Sequence, residues 1–157
     1  MAEILNVKNK VLSGSVHRMT SDYGKRYING KPENHIGVDL VGKNGADWVC
    51  AIASGTVVDL RTNIKGTVSD GSNSEGNYVL IDHGNEKITA YFHLEYGTIR
   101  VKLGEYVKRG QIIGRTGKTG NATGVHLHFG VGSKKIPRVW EDPKPYLEGK
   151  KRIGDSL

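Results

Sequence analysis

The sequence predicts an all-β, or mostly β, protein: an antiparallel sheet with long loops around a groove. Three observations carry this. Glycine makes up 22 of the 157 residues, against 4 Pro and 2 Met. Ordinary usage is about 7% glycine, and a surplus of this kind supplies tight turns rather than packed helices. Short β-branched runs alternate with clusters of Gly, Asn and Asp, the signature of strands and hairpins. Apolar spacing of three or four residues is nowhere sustained for three helical turns.

Along the chain, Gly24 to Asn34 (GKRYINGKPEN) reads as a long polar loop. Val49 to Val58 (VCAIASGTVV) reads as strand, glycine turn, strand. Ile64 to Gly76 (IKGTVSDGSNSEG) is polar and rich in turn residues, a second long loop. Asn77 to Asp82 (NYVLID) and Lys87 to Leu94 (KITAYFHL) flank Gly84-Asn85, which predicts a hairpin. Val101 to Gly114 alternates short apolar pieces with glycine, and Val125 to Val131 (VHLHFGV) is one more strand.

No repeat and no linker divides the chain, so one domain over residues 1–157 is expected. A domain of that size buries a sufficient core without staples. The single cysteine, Cys50, rules out an internal disulfide and any multi-thiolate metal site. Its apolar neighbours mark it as a small core residue. No apolar run approaches the roughly 18 residues of a membrane-spanning helix. Met1 to Lys8 shows no basic segment followed by a long apolar one, so no secretory signal is expected here.

The chemistry lies in the histidines: His17, His35, His83, His93, His126 and His128. In His35-Ile36-Gly37-Val38-Asp39 the His and Asp are four apart. On a strand an even separation puts both side chains on one face, and Gly37 between them leaves room. In His126-Leu127-His128 both imidazoles share a face, while Leu127 and Phe129 point to a core. A histidine alone in a strand is ordinarily a hydrogen-bonded structural residue; His-x-His, His-x-x-x-Asp and His93 together point to a centre. Mixed N and O ligands suit Zn²⁺, with the fourth tetrahedral position left to water. An open site favours catalysis, because zinc brings the pKa of water to about 7 and polarises a carbonyl. There is no His-Glu-x-x-His, so the histidines left over must move the protons.

At these residues the sequence resembles the lysostaphin-type (LytM-like, M23) zinc endopeptidases of bacterial cell walls. The blocks run in order. They are Thr20 to Arg26 (TSDYGKR), His35 to Asp39 (HIGVD), Ala51 to Val57 (AIASGTV) and Gly76 to Gly84 (GNYVLIDHG). Tyr91 to Leu94 (YFHL), Gly110 to Gly114 (GQIIG), Thr119 to Phe129 (TGNATGVHLHF) and Asp142-Pro143 complete them. The likeness covers about residues 15–147, the expected core. It departs at Tyr23, where the family usually has Phe, and at Asp47 to Cys50, where the family usually has a Pro; neither touches the histidines.

The resemblance implies a duplicated-hybrid-motif-type fold and a role for each position. His35, Asp39 and His128 bind one Zn²⁺ per chain. His93 and His126 face the reacting water and the scissile amide, as base or acid, with the order between them open. Tyr27 and Tyr23 are candidates for holding the oxyanion. His83 reads as structural and His17 as a surface residue. The implied activity is hydrolysis of peptide cross-links or stem peptides of peptidoglycan. The bond is open between Gly-Gly and D-Ala/diamino-acid linkages, with specificity in Gly24 to Asn34, Ile64 to Gly76 and the region Ile136 to Trp140. The alternative is a non-catalytic LytM-type wall-binding or amidase-activating module; such modules typically lack metal ligands that this chain keeps.

The formal charge is +7. It fits a solvated face that also draws the protein to an anionic wall. A β-rich oligonucleotide-binding domain is favoured only by charge and glycine. Nucleic-acid binding is not expected, because there is no basic helix, zinc-finger cysteine pattern or basic-aromatic signature. A monomer acting at the bacterial wall is expected. Without a secretory signal, the route there is release by a phage, as an endolysin or virion enzyme, or excision from a longer secreted chain.

Overall fold

The computed structural model describes residues 3–28, 30–68 and 70–157. In chain order its elements are β1 (Glu3–Ile4), β2 (Arg18–Ser21), β3 (Gly24–Ile28), β4 (Lys31–His35), β5 (Val38–Val41), β6 (Trp48–Cys50) and β7 (Gly55–Arg61). They continue with β8 (Asn77–Gly84), β9 (Lys87–Leu94), β10 (Tyr106–Val107), β11 (Ile112–Arg115), β12 (Leu127–Ser133), β13 (Trp140–Glu141) and the single helical turn α1 (Lys144–Leu147). The all-β prediction holds.

The main sheet runs β1-β2-β5-β12-β9-β8-β7-β10, with β13 added to the end of β12, and every pairing is antiparallel. Two small sheets, β6 with β11 and β3 with β4, stand apart from it. Strand β12 is buried along six of its seven residues, and one set of alternate side chains, Leu127, Phe129 and Val131, enters the core. Val38 and Leu40 of β5 and Val79 and Ile81 of β8 join them from the same face. Burying that face is the main source of stability, at about 25 cal/mol per Å² of apolar surface. The opposite face carries a smaller cluster of Leu80, Ile88, Ala90 and Phe92 beneath Ile36, Tyr78 and Trp140.

The hairpin of β8 and β9 forms as the sequence implies, one residue later than its turn signal. Asn85 and Glu86 take φ of 52° and 62°, the two left-handed residues of a tight two-residue turn. Gly24 to Asn34 differs from the loop expected of it: β3 and β4 pair through Arg26↔Glu33 and Tyr27↔Pro32. Its middle residue, Asn29, lies outside the described residues. The strand character was hidden because four of the five β4 residues are exposed, so no apolar alternation marks it. Ile64 to Gly76 is strand-free among the described residues apart from a bridge at Thr67 to Gly120; Ser69 lies outside them.

His17 is corrected from a surface residue to a fully buried one. Its Nε2 accepts the backbone N–H groups of Val11 (3.1 Å) and Leu12 (3.0 Å). His83 is bonded to the Ser54 carbonyl and the Thr89 hydroxyl, the arrangement of a structural histidine. Cys50 is buried, and burial pushes its thiol up to about 12, which leaves it inert.

Candidate metal centre

Register sets the site. Across four neighbouring strands, Ser21, Asp39, His128 and Phe92 stand in one row, paired Ser21↔Asp39, Asp39↔His128 and His128↔Phe92. A bulge between Met19 and Ser21 brings Ser21 into line, a frequent device beside functional sites. His35 arrives from the end of β4, not from one continuous strand with Asp39 as the spacing implied. Ile36 and Gly37 form the break. At Gly37 a β-carbon would lie 2.4 Å from the Phe129 carbonyl oxygen and 2.6 Å from His128 Nε2. Only glycine lets the two chain segments meet there.

Three donor atoms converge on one point. His35 Nε2 lies 3.1 Å from Asp39 Oδ1 and 3.2 Å from His128 Nδ1, and the third side of the triangle is 3.4 Å. His35, Asp39 and His128 form the metal-competent group among the described residues. Ligands of a tetrahedral zinc, with bonds of about 2.0–2.1 Å, stand about 3.3 Å apart. The triangle has that size already.

Backbone carbonyls determine which ring nitrogen carries the proton. The Nδ1–H of His35 donates to the Asp22 carbonyl (2.8 Å), that of His93 to Thr119 (2.8 Å) and that of His126 to Gly124 (2.9 Å). A carbonyl only accepts, so in each neutral ring Nε2 carries the lone pair. Asp39 Oδ1 is therefore faced by electron-rich nitrogens: His35 Nε2 at 3.1 Å and His126 Nε2 at 3.5 Å. It is buried and accepts no hydrogen bond. A cation placed between them would satisfy these lone pairs, and this donor set fits zinc.

His128 is sandwiched. The Phe92 ring stacks on it at 4.8 Å and 12°, which fixes its plane. Burial lowers its pKa, favouring the neutral ring that can ligate. Its Nε2 is buried without a partner among the described residues.

His93 and His126 flank the triangle with ring centroids 4.9 Å apart. His93 has φ of 66°, a left-handed conformation uncommon outside glycine. That break in alternation lets the consecutive residues Phe92 and His93 both face the cleft, where a regular strand would turn one of them away. Burial first, and the neighbouring His126 second, lower the His93 pKa to about 4, so the ring is neutral at pH 7.

All five predicted residues line a cleft of about 730 Å³. The β3–β4 hairpin contributes Arg26, Glu33 and Asn34 to its wall, the long loop contributes Ser74 and Glu75, and Trp140 closes one side. Each of the three expected specificity regions therefore supplies lining. Asn121 to Thr123 were not anticipated. Tyr23 and Tyr27 do not line it. The Tyr23 hydroxyl donates to the Trp140 carbonyl at 3.1 Å. Tyr27 follows the cleft-lining Arg26 on β3 and so points to the other face, where it is 68% exposed. Arg26, Thr119 and the carbonyls of Asp22 and Gly124 escaped the sequence reading. All four positions fall inside the blocks, Asp22 and Arg26 in TSDYGKR and Thr119 and Gly124 in TGNATGVHLHF, but residue type alone does not mark their contacts.

This sheet, the open donor triangle and the paired imidazoles at its mouth are compatible with a metal-dependent peptidase. The profile of peptidase family M23 matches residues 33–138, and the chain belongs to that family. The peptidoglycan DD-endopeptidase ShyC of Vibrio cholerae is 37% identical over 133 residues, which are 81% of this chain and 28% of ShyC. The solved catalytic domain of lysostaphin, an antimicrobial peptidase of Staphylococcus simulans, superposes with a TM-score of 0.65 at 32% identity. That match spans 84% of this chain and 92% of the lysostaphin domain. A zinc-containing peptidase from Vibrio cholerae gives 0.65 at 30% identity, over 86% of this chain and 39% of its own. The chain thus spans less than a third of the length of ShyC. No helix among the described residues is long and apolar enough to cross a membrane.

Proposed function

We propose that the protein is a zinc endopeptidase that hydrolyses peptide cross-links or stem peptides of bacterial peptidoglycan, acting at the wall. The observation that carries this is the triangle of His35 Nε2, Asp39 Oδ1 and His128 Nδ1, open toward a cleft with two further imidazoles. These three residues would hold the ion. Zinc bound there acidifies a water and polarises a carbonyl oxygen. The relatives, a peptidoglycan endopeptidase and an antimicrobial peptidase, support the wall peptide as substrate.

His93 and His126 divide the proton work between them. In the neutral ring each presents its Nε2 lone pair, because Nδ1–H donates to the Thr119 or Gly124 carbonyl. One ring accepts the proton of the attacking water. That proton, carried at Nε2 of the imidazolium so formed, is then given to the leaving amine, and a ring protonated in this way also stabilises the developing oxyanion. The Thr119 and Gly124 carbonyls also hold either imidazolium once it forms. The mixed charged lining of Arg26, Glu33 and Glu75 suits a polar peptide.

The test is zinc content together with clearing of purified cell walls, with and without chelator. The expected result is one zinc per chain and lysis that chelator abolishes and zinc restores. Absence of both would overturn the reading and leave the wall-binding module. Mass spectrometry of fragments released from walls of known cross-bridge identifies the bond.

A further inference from the structure

We infer that Arg26, braced by Ser21, is a positioning residue that pins the outer oxygen of Asp39 and so keeps Asp39 a one-oxygen ligand of the proposed centre. The inference rests on the metal-site reading above. It concerns a residue of the β3–β4 hairpin, an element outside the row of strands that supplies Asp39 and His128.

The contacts divide the two carboxylate oxygens between two neighbourhoods. Oδ1 faces the histidine nitrogens. Oδ2 faces Arg26 Nη1 at 3.5 Å. The same Nη1 donates to Ser21 Oγ at 2.6 Å, and Nη2 reaches Glu33 Oε1 at 3.4 Å. Ser21 Oγ in turn lies 3.4 Å from His35 Nδ1. One guanidinium thus stands behind two of the three donor residues, directly at Asp39 and through Ser21 at His35.

The guanidinium is itself held. Its side chain is 28% exposed and its Nε is buried without a hydrogen-bond partner. The hydrogen bonds of the guanidinium therefore run through Nη1 and Nη2, toward Ser21, Asp39 and Glu33. Arg26 and Glu33 are directly opposed across the hairpin, which aims the fork from below while Ser21 steadies it from the bulged strand. A carboxylate left alone can present both oxygens to a divalent ion. A cation fixed on Oδ2 removes that option and orients Oδ1. Residues behind metal ligands of this kind typically change metal affinity about 10- to 100-fold when removed.

The test compares Arg26→Ala, Arg26→Lys and the milder Ser21→Ala with the parent protein. Zinc affinity is read by competition with a chromophoric chelator, and coordination by the visible spectrum of the Co²⁺-substituted protein. Thermal melts of the metal-free proteins establish that each is folded. Arg26→Ala is expected to weaken zinc binding by about 10- to 100-fold. It is also expected to dim the Co²⁺ bands as the coordination number rises. Arg26→Lys should recover part of both, and Ser21→Ala should show a smaller loss of the same sign. Parent-like affinity and spectrum in a folded Arg26→Ala protein would overturn the inference while leaving the centre intact. Failure of the parent itself to bind zinc would overturn the reading beneath it.

Discussion

His35 Nε2 and His128 Nδ1 lie 3.2 Å apart although 93 residues separate them. The His35 proton is committed to the Asp22 carbonyl, so a lone pair faces the other ring and the contact is a gap shaped for a cation. His128→Ala is expected to lose bound zinc and activity together. His126→Ala removes a ring whose Nε2 stands 3.5 Å from Asp39 Oδ1, on the rim of the triangle. It is expected to keep zinc while kcat/KM falls at least about 100-fold. Zinc analysis and wall-lysis kinetics of the two variants check this, and an emptied site in His126→Ala would show the ligand assignment wrong.

Gly37 is where space is tightest. A methyl there meets the Phe129 carbonyl and the His128 ring, and overpacking of this kind costs about 1–3 kcal/mol. Gly37→Ala should lower the melting temperature and weaken zinc binding, because relief of the clash pushes His128 off the triangle. Retention of both properties would mean that the β4–β5 junction gives way instead.

The Tyr23 hydroxyl is spent on the Trp140 carbonyl. Tyr23→Phe should therefore cost about 1 kcal/mol of stability. It should leave kcat/KM near that of the parent, whereas loss of an oxyanion donor costs about 100- to 1,000-fold. A drop of that second size would place the hydroxyl in the reaction.

His17 makes stability sensitive to acid. Burial lowers its pKa from 6.5 to about 4, and protonation at Nε2 would set a proton against the Val11 and Leu12 N–H groups. The folded state favours the neutral ring. Its contribution is complete above pH 6.5, declines as the pH falls toward 4, and amounts to about 3 kcal/mol. Urea denaturation of the metal-free protein at pH 7 and pH 4.5 should show this decline. His17→Gln, which keeps an acceptor and cannot protonate, should show a shallower one. Equal slopes would remove His17 as the cause.

Much of the site was readable because its residues are tied to strand alternation. His128 lies between the core residues Leu127 and Phe129, a pattern visible as VHLHF. Strands β8 and β9 announce themselves in the same way. The hairpin of β3 and β4 does not, since it buries almost nothing, and with it the face of Arg26 was lost. His17 escaped because its partners are backbone N–H groups, which no residue type marks. Tyr23 shows a related limit: its hydroxyl can be read from the sequence, but the Trp140 carbonyl that accepts from it cannot.

The carbonyls of Asp22, Thr119 and Gly124 that fix the three imidazoles separate what the site does from what it accepts. Every residue type carries the same carbonyl. Side chains in these loops can therefore change with the target without disturbing the orientation of His35, His93 or His126, provided the main chain keeps its path. Variation in the neighbouring Ala122 and Thr123, which line the cleft, would alter selectivity at little cost to the reaction. Insertion or deletion there would do the reverse, shifting the carbonyls and silencing the centre with every histidine still in place.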